Sequence, residues 1–158
     1  MAEVIMIKTP AGGLVPANDD EAEKLRRLKA GSTVKVKLSE MRNGKFFRKW
    51  WLLAKFAFEI WSETAPRATY KGEPVAHSFD RFRRDLIIMT GRHRCVFNAL
   101  GEMRLEADSI SWAKMDEETF ERLYSETINT ILGKILNGPD IDEASLRSQV
   151  DYVMSFDW

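Results

Sequence analysis

The sequence predicts an α+β fold in a single domain spanning residues 1–158, with a small mixed or antiparallel sheet, a long central apolar helix and a homodimeric assembly. Three observations lead there. A chain of 158 residues is long enough for one independent core. Strand-type and helix-type segments follow in the order β, α, β, α and then β, β, α, α, which is typical of an α+β domain. No internal repeat or clear linker interrupts the chain.

The N-terminal elements are predicted from an apolar run, a turn and a helix cap. Residues 4–7 form a short apolar β-type run, closed by turn-forming residues 9–13. Asn18 is a suitable N-cap for a helix that Gly31 ends. Residues 33–38 alternate strictly, so they predict a half-buried strand with Lys35 and Lys37 on its polar side.

The segment 44–63 predicts the central helix. Its polar residues leave only a narrow hydrophilic stripe, and Asn43 is its expected N-cap. A helix that is apolar almost all round belongs in the centre of a core or at a subunit boundary. For a chain of this length, that makes a homodimer a serious expectation.

The rest of the chain predicts a loop, three helices and a hairpin. Residues 64–77 hold Pro and Gly and read as a loop, after which Ser78 caps a helix that Gly91 ends. Residues 92–108 predict a hairpin. Asp116 caps the next helix, residues 137–139 end it, and Asp140 with Glu143 resembles a capping box for the last helix.

The net charge of zero conceals a strong asymmetry. Residues 1–23 carry one basic and five acidic residues, giving −4; residues 24–94 carry 18 and 6, giving +12; residues 95–158 carry 5 and 13, giving −8. Such asymmetry predicts an anionic partner for the basic middle, with the acidic C-terminal third as a candidate regulator of that surface. The alternative is that the two parts simply neutralise each other in the fold.

Basic residues interleaved with aromatic residues make the middle of the chain the candidate DNA-binding region. Cations that neutralise a phosphate backbone beside rings that stack on bases are the physical basis of single-strand binding with little sequence preference. The first group of predicted DNA-binding residues comprises Lys35, Lys37, Arg42, Asn43, Lys45, Arg48 and Lys49, with Trp50 as the best stacking candidate. The second group comprises Arg81, Arg84, Arg92 and Arg94, with Arg83 among them in sequence.

Catalytic signatures are missing from the sequence. It has no phosphate-binding glycine loop, no nucleophile elbow and no metal-ligand spacing around His77 or His93, so we expect no enzyme activity, no cofactor and no metal. Cys95 is expected to be a small buried residue. One cysteine, no apolar run long enough to span a membrane and no signal-like start predict a cytoplasmic protein.

Residues 35–49 carry a family resemblance. Their Arg-Asn-x-Lys-Phe-x-Arg-Lys core, at 42–49, resembles the signature of a lambdoid phage and prophage family of unknown function, over most of the chain. Relatives have a histidine between Phe and Arg, where this chain has Phe47. In size and charge layout the chain is also similar to the Orf (NinB) recombination mediators.

The Orf resemblance implies a homodimer in the bacterial host cell that binds single-stranded DNA and helps a recombinase load onto strands coated by single-strand-binding protein. Two alternatives remain open. One is a carboxylate- and metal-dependent phage nuclease, and the other is an interaction module that targets a host replication or recombination protein.

Overall fold

A computed structural model describes residues 3–38, 44–136 and 140–156, and these residues form two compact units, 3–38 and 44–156. The α+β class is as predicted. The strands, however, do not share one small sheet: they pair as three separate antiparallel hairpins. Each pair is joined by a short connection, so its hydrogen bonds are satisfied locally.

The first unit consists of a hairpin and a short helix. Strands β1 (Met6–Lys8) and β2 (Leu14–Pro16) precede helix α1 (Asp19–Arg26). Asn18 caps the helix as predicted, because its side chain accepts a hydrogen bond from the Glu21 amide at 3.0 Å. The buried Glu21 carboxylate accepts from the Ile5 amide at 2.9 Å and so ties the helix to the hairpin.

The predicted strand at 33–38 is wrong. These residues form no strand, and Val34, Val36 and Leu38 are 49%, 67% and 71% exposed. Alternation alone does not make a strand, since a strand also needs a neighbour for its backbone hydrogen bonds and an apolar surface to cover.

The second unit is built mainly from four helices. They are α2 (Gly44–Thr64), α3 (Phe79–Met89), α4 (Glu117–Thr130), which continues into a π-helical turn over Ile131–Ile135, and α5 (Glu143–Met154). Helix α2 packs against each of the other three. The fully buried residues of the shared core include Leu53, Leu86, Leu123, Ile128 and Val150.

Helix α2, at 21 residues, is one residue longer than predicted, and it is not apolar almost all round. It is amphipathic: its buried residues are Phe47, Trp50, Leu53, Ala54 and Ala57, which recur at helical spacing on one side. Its other large apolar side chains are only partly buried and flank this core stripe. The sequence over-predicted burial because large aromatic residues can cover the edge of a core without entering it.

Two further hairpins flank α3. Strands β3 (Thr69–Tyr70) and β4 (Glu73–Pro74) form a small one inside the predicted loop. Strands β5 (His93–Phe97) and β6 (Met103–Ala107) form the hairpin that the sequence predicted.

The helix caps agree with the sequence in part. Ser78 and Asp116 cap α3 and α4 as predicted, each accepting from the amide three residues on. The cap of α5 is Asp142, which accepts from the Ser145 amide at 2.7 Å, and not Asp140. Asn43 and residues 137–139 lie outside the described residues. Of the helices described, none is both long enough and apolar enough to cross a membrane.

Candidate nucleic-acid interface

The predicted DNA-binding residues nearest the N-terminus fall in two places. Lys35 and Lys37 belong to the first unit, where both are exposed. Arg42 and Asn43 lie outside the described residues. The remaining predicted residues all belong to the second unit.

The first two turns of α2 carry three cations, and two of them contact α5 or the residues just after it. Lys45 is exposed. Arg48 donates to the backbone oxygen of Phe156 at 3.4 Å, and the Lys49 ammonium lies 3.5 Å from the Asp151 carboxylate. The first two turns of α2 thus place three basic side chains close together, one of them paired with the Asp151 carboxylate.

Trp50 is not a stacking residue. It is 1% exposed, and its indole N–H donates to the Thr127 hydroxyl at 3.0 Å inside the core. Position 50 lies on the same side of α2 as Leu53, Ala54 and Ala57, and this spacing places it in the core. A base could reach its ring only if the core opened.

The second group of arginines is held by carboxylates on α3, α4 and the β5–β6 hairpin. Each predicted residue has an acidic partner, and the pairs are Arg81–Asp85, Arg84–Asp80, Arg92–Glu126 and Arg94–Glu106. Three of these pairs lie largely in water, where ion pairs contribute little free energy and are easily exchanged.

A cleft of about 250 Å³ opens between α3 and the base of the β5–β6 hairpin. We call it the arginine cleft, because guanidinium groups from both elements line it. Its lining comprises Arg83, Arg84, Ile87, Arg94, Glu106, Ala107, Asp108 and Ser109. Glu106 and Asp108 offset much of the positive charge, so a phosphate entering the cleft would exchange places with a carboxylate on an arginine.

Arg83 connects this cleft to α2. Its guanidinium lies 5.2 Å from the ring centroid of Trp51, and it also pairs with Asp80 at 2.6 Å. Trp51 stands three residues after Arg48, and residues at that spacing are neighbours on a helix surface. This contact brings the cations of α2 next to the arginine cleft, and we call the residues of these two regions the basic track: Lys45, Arg48, Lys49, Trp51, Arg83, Arg84 and Arg94.

The sequence did not predict the contact between Arg83 and Trp51 that joins the two parts of the track. Arg83 was one basic residue among several, and Trp51 looked like core. The available signal was the i, i+3 spacing of Arg48 and Trp51, which places a cation beside an indole at the margin of the core stripe. The contact between Trp51 and Arg83, by contrast, depends on how α2 packs against α3 and has no signature in the sequence.

The ring of Tyr124 contacts one cation of α2 and one cation of α5. Lys49 and Arg147 lie 4.9 Å and 5.1 Å from the centroid of its ring. The side chain is fully buried, and its hydroxyl has no hydrogen-bond partner. Burial therefore raises the pKa of Tyr124 far above its usual range, with Asp151 adding to the effect.

Histidine and cysteine residues do not assemble into a site. The His77 ring contacts the Pro66 carbonyl oxygen at 2.9 Å, and His93 lies exposed on β5. Cys95 is exposed, so the expectation that it is buried is wrong. Among the residues that the structure describes, no group of three or more His, Cys, Asp or Glu side chains is arranged to hold a metal ion.

Comparison with known proteins identifies a family. The family described as "Protein of unknown function (DUF1367)" matches the chain twice, over residues 1–75 and residues 63–156. The two matches together extend over nearly the whole chain. No curated protein and no solved structure matches it.

Proposed function

The chain belongs to the family of proteins of unknown function DUF1367, and from its basic track we propose that it binds single-stranded DNA without strong sequence preference. We propose further that it acts as a phage recombination mediator in the cytoplasm of the host cell, assisting the loading of a recombinase onto strands that carry single-strand-binding protein. The binding itself requires no turnover and no cofactor.

The contact between Arg83 and Trp51 is the observation that carries this proposal. It places the cations of α2 beside the arginines of the cleft, although the two groups are more than thirty residues apart in the sequence. A strand of DNA needs several cations in succession, since each phosphate contact releases counterions and adds a modest gain in affinity. The exposed Lys45, Arg84 and Arg94 supply such contacts at the two ends of the track.

An apolar face of the β5–β6 hairpin supports the homodimer in this proposal. Phe97 and Met103 are cross-strand partners and are 77% and 64% exposed, and Leu105 on the same face is 45% exposed. Exposed apolar patches of this kind commonly mark interaction sites. The patch is uncharged at these positions, so two copies can meet there without electrostatic repulsion.

Titration of binding with salt tests the proposal. The full-length protein is expected to bind an oligothymidylate at low salt, with the logarithm of the affinity falling linearly with the logarithm of salt concentration. Replacing Lys45, Arg84 and Arg94 together by Gln is expected to reduce the slope by about 2, at about 0.7 per lost phosphate contact. Sedimentation of the same samples measures the oligomeric state.

A matched control removes the same charge elsewhere. Arg26, Arg122 and Lys134 are exposed and lie outside the track, and replacing all three by Gln is expected to leave the slope nearly unchanged. Equal loss of slope in both triple variants would show that binding depends on total charge and not on the track. Absence of binding at low salt would overturn the proposal altogether.

A further inference from the structure

An exposed aromatic pair lies next to the cations of α2. Tyr152 and Phe156 are 67% and 52% exposed, and their rings meet edge to face with centroids 5.1 Å apart. Leu146 and Val150 hold α5 in the core and are 1% and 0% exposed. Because Tyr152 follows Val150 by two residues, about 200° around the helix, its ring lies on the side of α5 that points away from the core. Phe156 follows the end of α5 and packs against that ring.

The pair is joined to the basic track by direct contacts. Arg48 donates to the backbone oxygen of Phe156, and Lys49 pairs with Asp151, the residue before Tyr152. Lys45 stands one helical turn before these cations and has no ion-pair partner in the described part of the chain. Cations that can hold phosphates and rings that can hold bases are therefore adjacent on one surface of the second unit.

We propose that Tyr152 and Phe156 form a stacking site for the unpaired bases of single-stranded DNA whose phosphates bind Lys45, Arg48 and Lys49. A base in a duplex keeps its faces covered by its neighbours, whereas an unpaired base can place one face on an aromatic ring. The pair thereby makes the site selective for single strands, which charge alone does not achieve. This inference rests on the proposed function and assigns the base-binding part of the same interface.

An abasic oligonucleotide separates stacking from charge, because it has the phosphates of an oligothymidylate of equal length but no bases. The wild-type full-length protein is expected to bind the thymidylate about tenfold more tightly than the abasic strand. The double variant Tyr152→Ala/Phe156→Ala is expected to lose most of that preference. Its affinity for the abasic strand should stay close to that of the wild type, because no cation has been removed.

Two further variants make the result specific. Tyr152→Leu/Phe156→Leu keeps apolar side chains beside α2 and is expected to lose the preference as well, so a fold defect in the alanine variant is not needed to explain the loss. Tyr70→Ala removes another exposed ring, which lies 5.4 Å from the Lys71 ammonium, and is expected to keep the preference.

The outcomes distinguish this inference from the proposed function. If the wild type binds both strands equally, or if the double variants retain the preference, the stacking site is wrong while DNA binding stands. If removing the rings raises the affinity for both strands, the pair shields the cations and does not bind bases. If the wild type binds neither strand at low salt, the proposed function itself fails.

Discussion

At the scale of single residues, Tyr124 yields a test of buried polarity. Its hydroxyl is buried without a hydrogen-bond partner, and removing such a group recovers a desolvation cost. We expect Tyr124→Phe to raise the free energy of unfolding by about 1 kcal/mol. Tyr152→Phe is the matched control: its ring is 67% exposed, so we expect no measurable change in urea denaturation.

The raised pKa of Tyr124 adds a dependence on pH. Above its ordinary pKa of about 10, the unfolded chain loses the phenolic proton while the folded chain retains it. The unfolded state then binds fewer protons, so this residue makes stability fall with rising pH, by at most about 1.4 kcal/mol per pH unit. The free energy of unfolding of Tyr124→Phe should therefore fall less steeply than that of the wild type above pH 10; parallel curves would contradict the assignment.

The aromatic residues show what the sequence predicts about single residues and what it does not. Helical spacing alone places Trp50 in the core beside Leu53, and the hydrogen bond to Thr127 is what a buried indole requires. What spacing does not reveal is which apolar residue on the margin of a stripe meets a cation from another helix. That is why the charge asymmetry was visible in the sequence and the role of Trp51 was not.

At the scale of elements, Gly91 controls the joint between α3 and β5, the two elements on either side of the arginine cleft. Its φ is +90°, which costs other L-residues about 1–2 kcal/mol, while an added Cβ would meet nothing within 4 Å. We expect Gly91→Ala to lower the free energy of unfolding by that amount through the backbone alone.

Gly44 is the matched control for Gly91. It begins α2, an added Cβ meets nothing within 4 Å, and its φ is not positive. Gly44→Ala should therefore be neutral or stabilise by up to about 1 kcal/mol. Chemical denaturation measures both variants, and an equal effect at the two glycines would show that the turn after α3 does not depend on its conformation.

The elements that the sequence predicted correctly are those whose ends are determined by residues close to one another in the chain. Side-chain caps and turn glycines act within a few residues, and Ser78, Asp116 and Gly91 all stand where the sequence placed them. The segment 33–38 failed because its alternation required a partner strand from elsewhere in the chain. The small hairpin inside 64–77 was missed because two-residue strands are too short to show a period.

At the scale of the whole molecule, the charge asymmetry of the sequence is offset locally, by carboxylates that pair with neighbouring cations. The second unit holds most of the cations of the basic middle, and many of them are paired with carboxylates. A net charge of zero therefore does not determine how strongly an anion is held. What counts is how many cations along the basic track can exchange a carboxylate for a phosphate, because surface ion pairs separate at little cost.

Two variants of equal net charge test this view of the proposed binding. Asp151→Asn removes the carboxylate 3.5 Å from the Lys49 ammonium, whereas Glu117→Gln removes an exposed carboxylate in the first turn of α4. Both raise the net charge by one.

With Lys49 released, we expect Asp151→Asn to bind oligothymidylate up to about fivefold more tightly and to steepen the salt slope by about 0.7. Glu117→Gln should change neither quantity at ionic strengths near 0.15 M, where the screening length is about 8 Å. Equal gains in the two variants would show that net charge, and not the pairing along the track, sets the affinity.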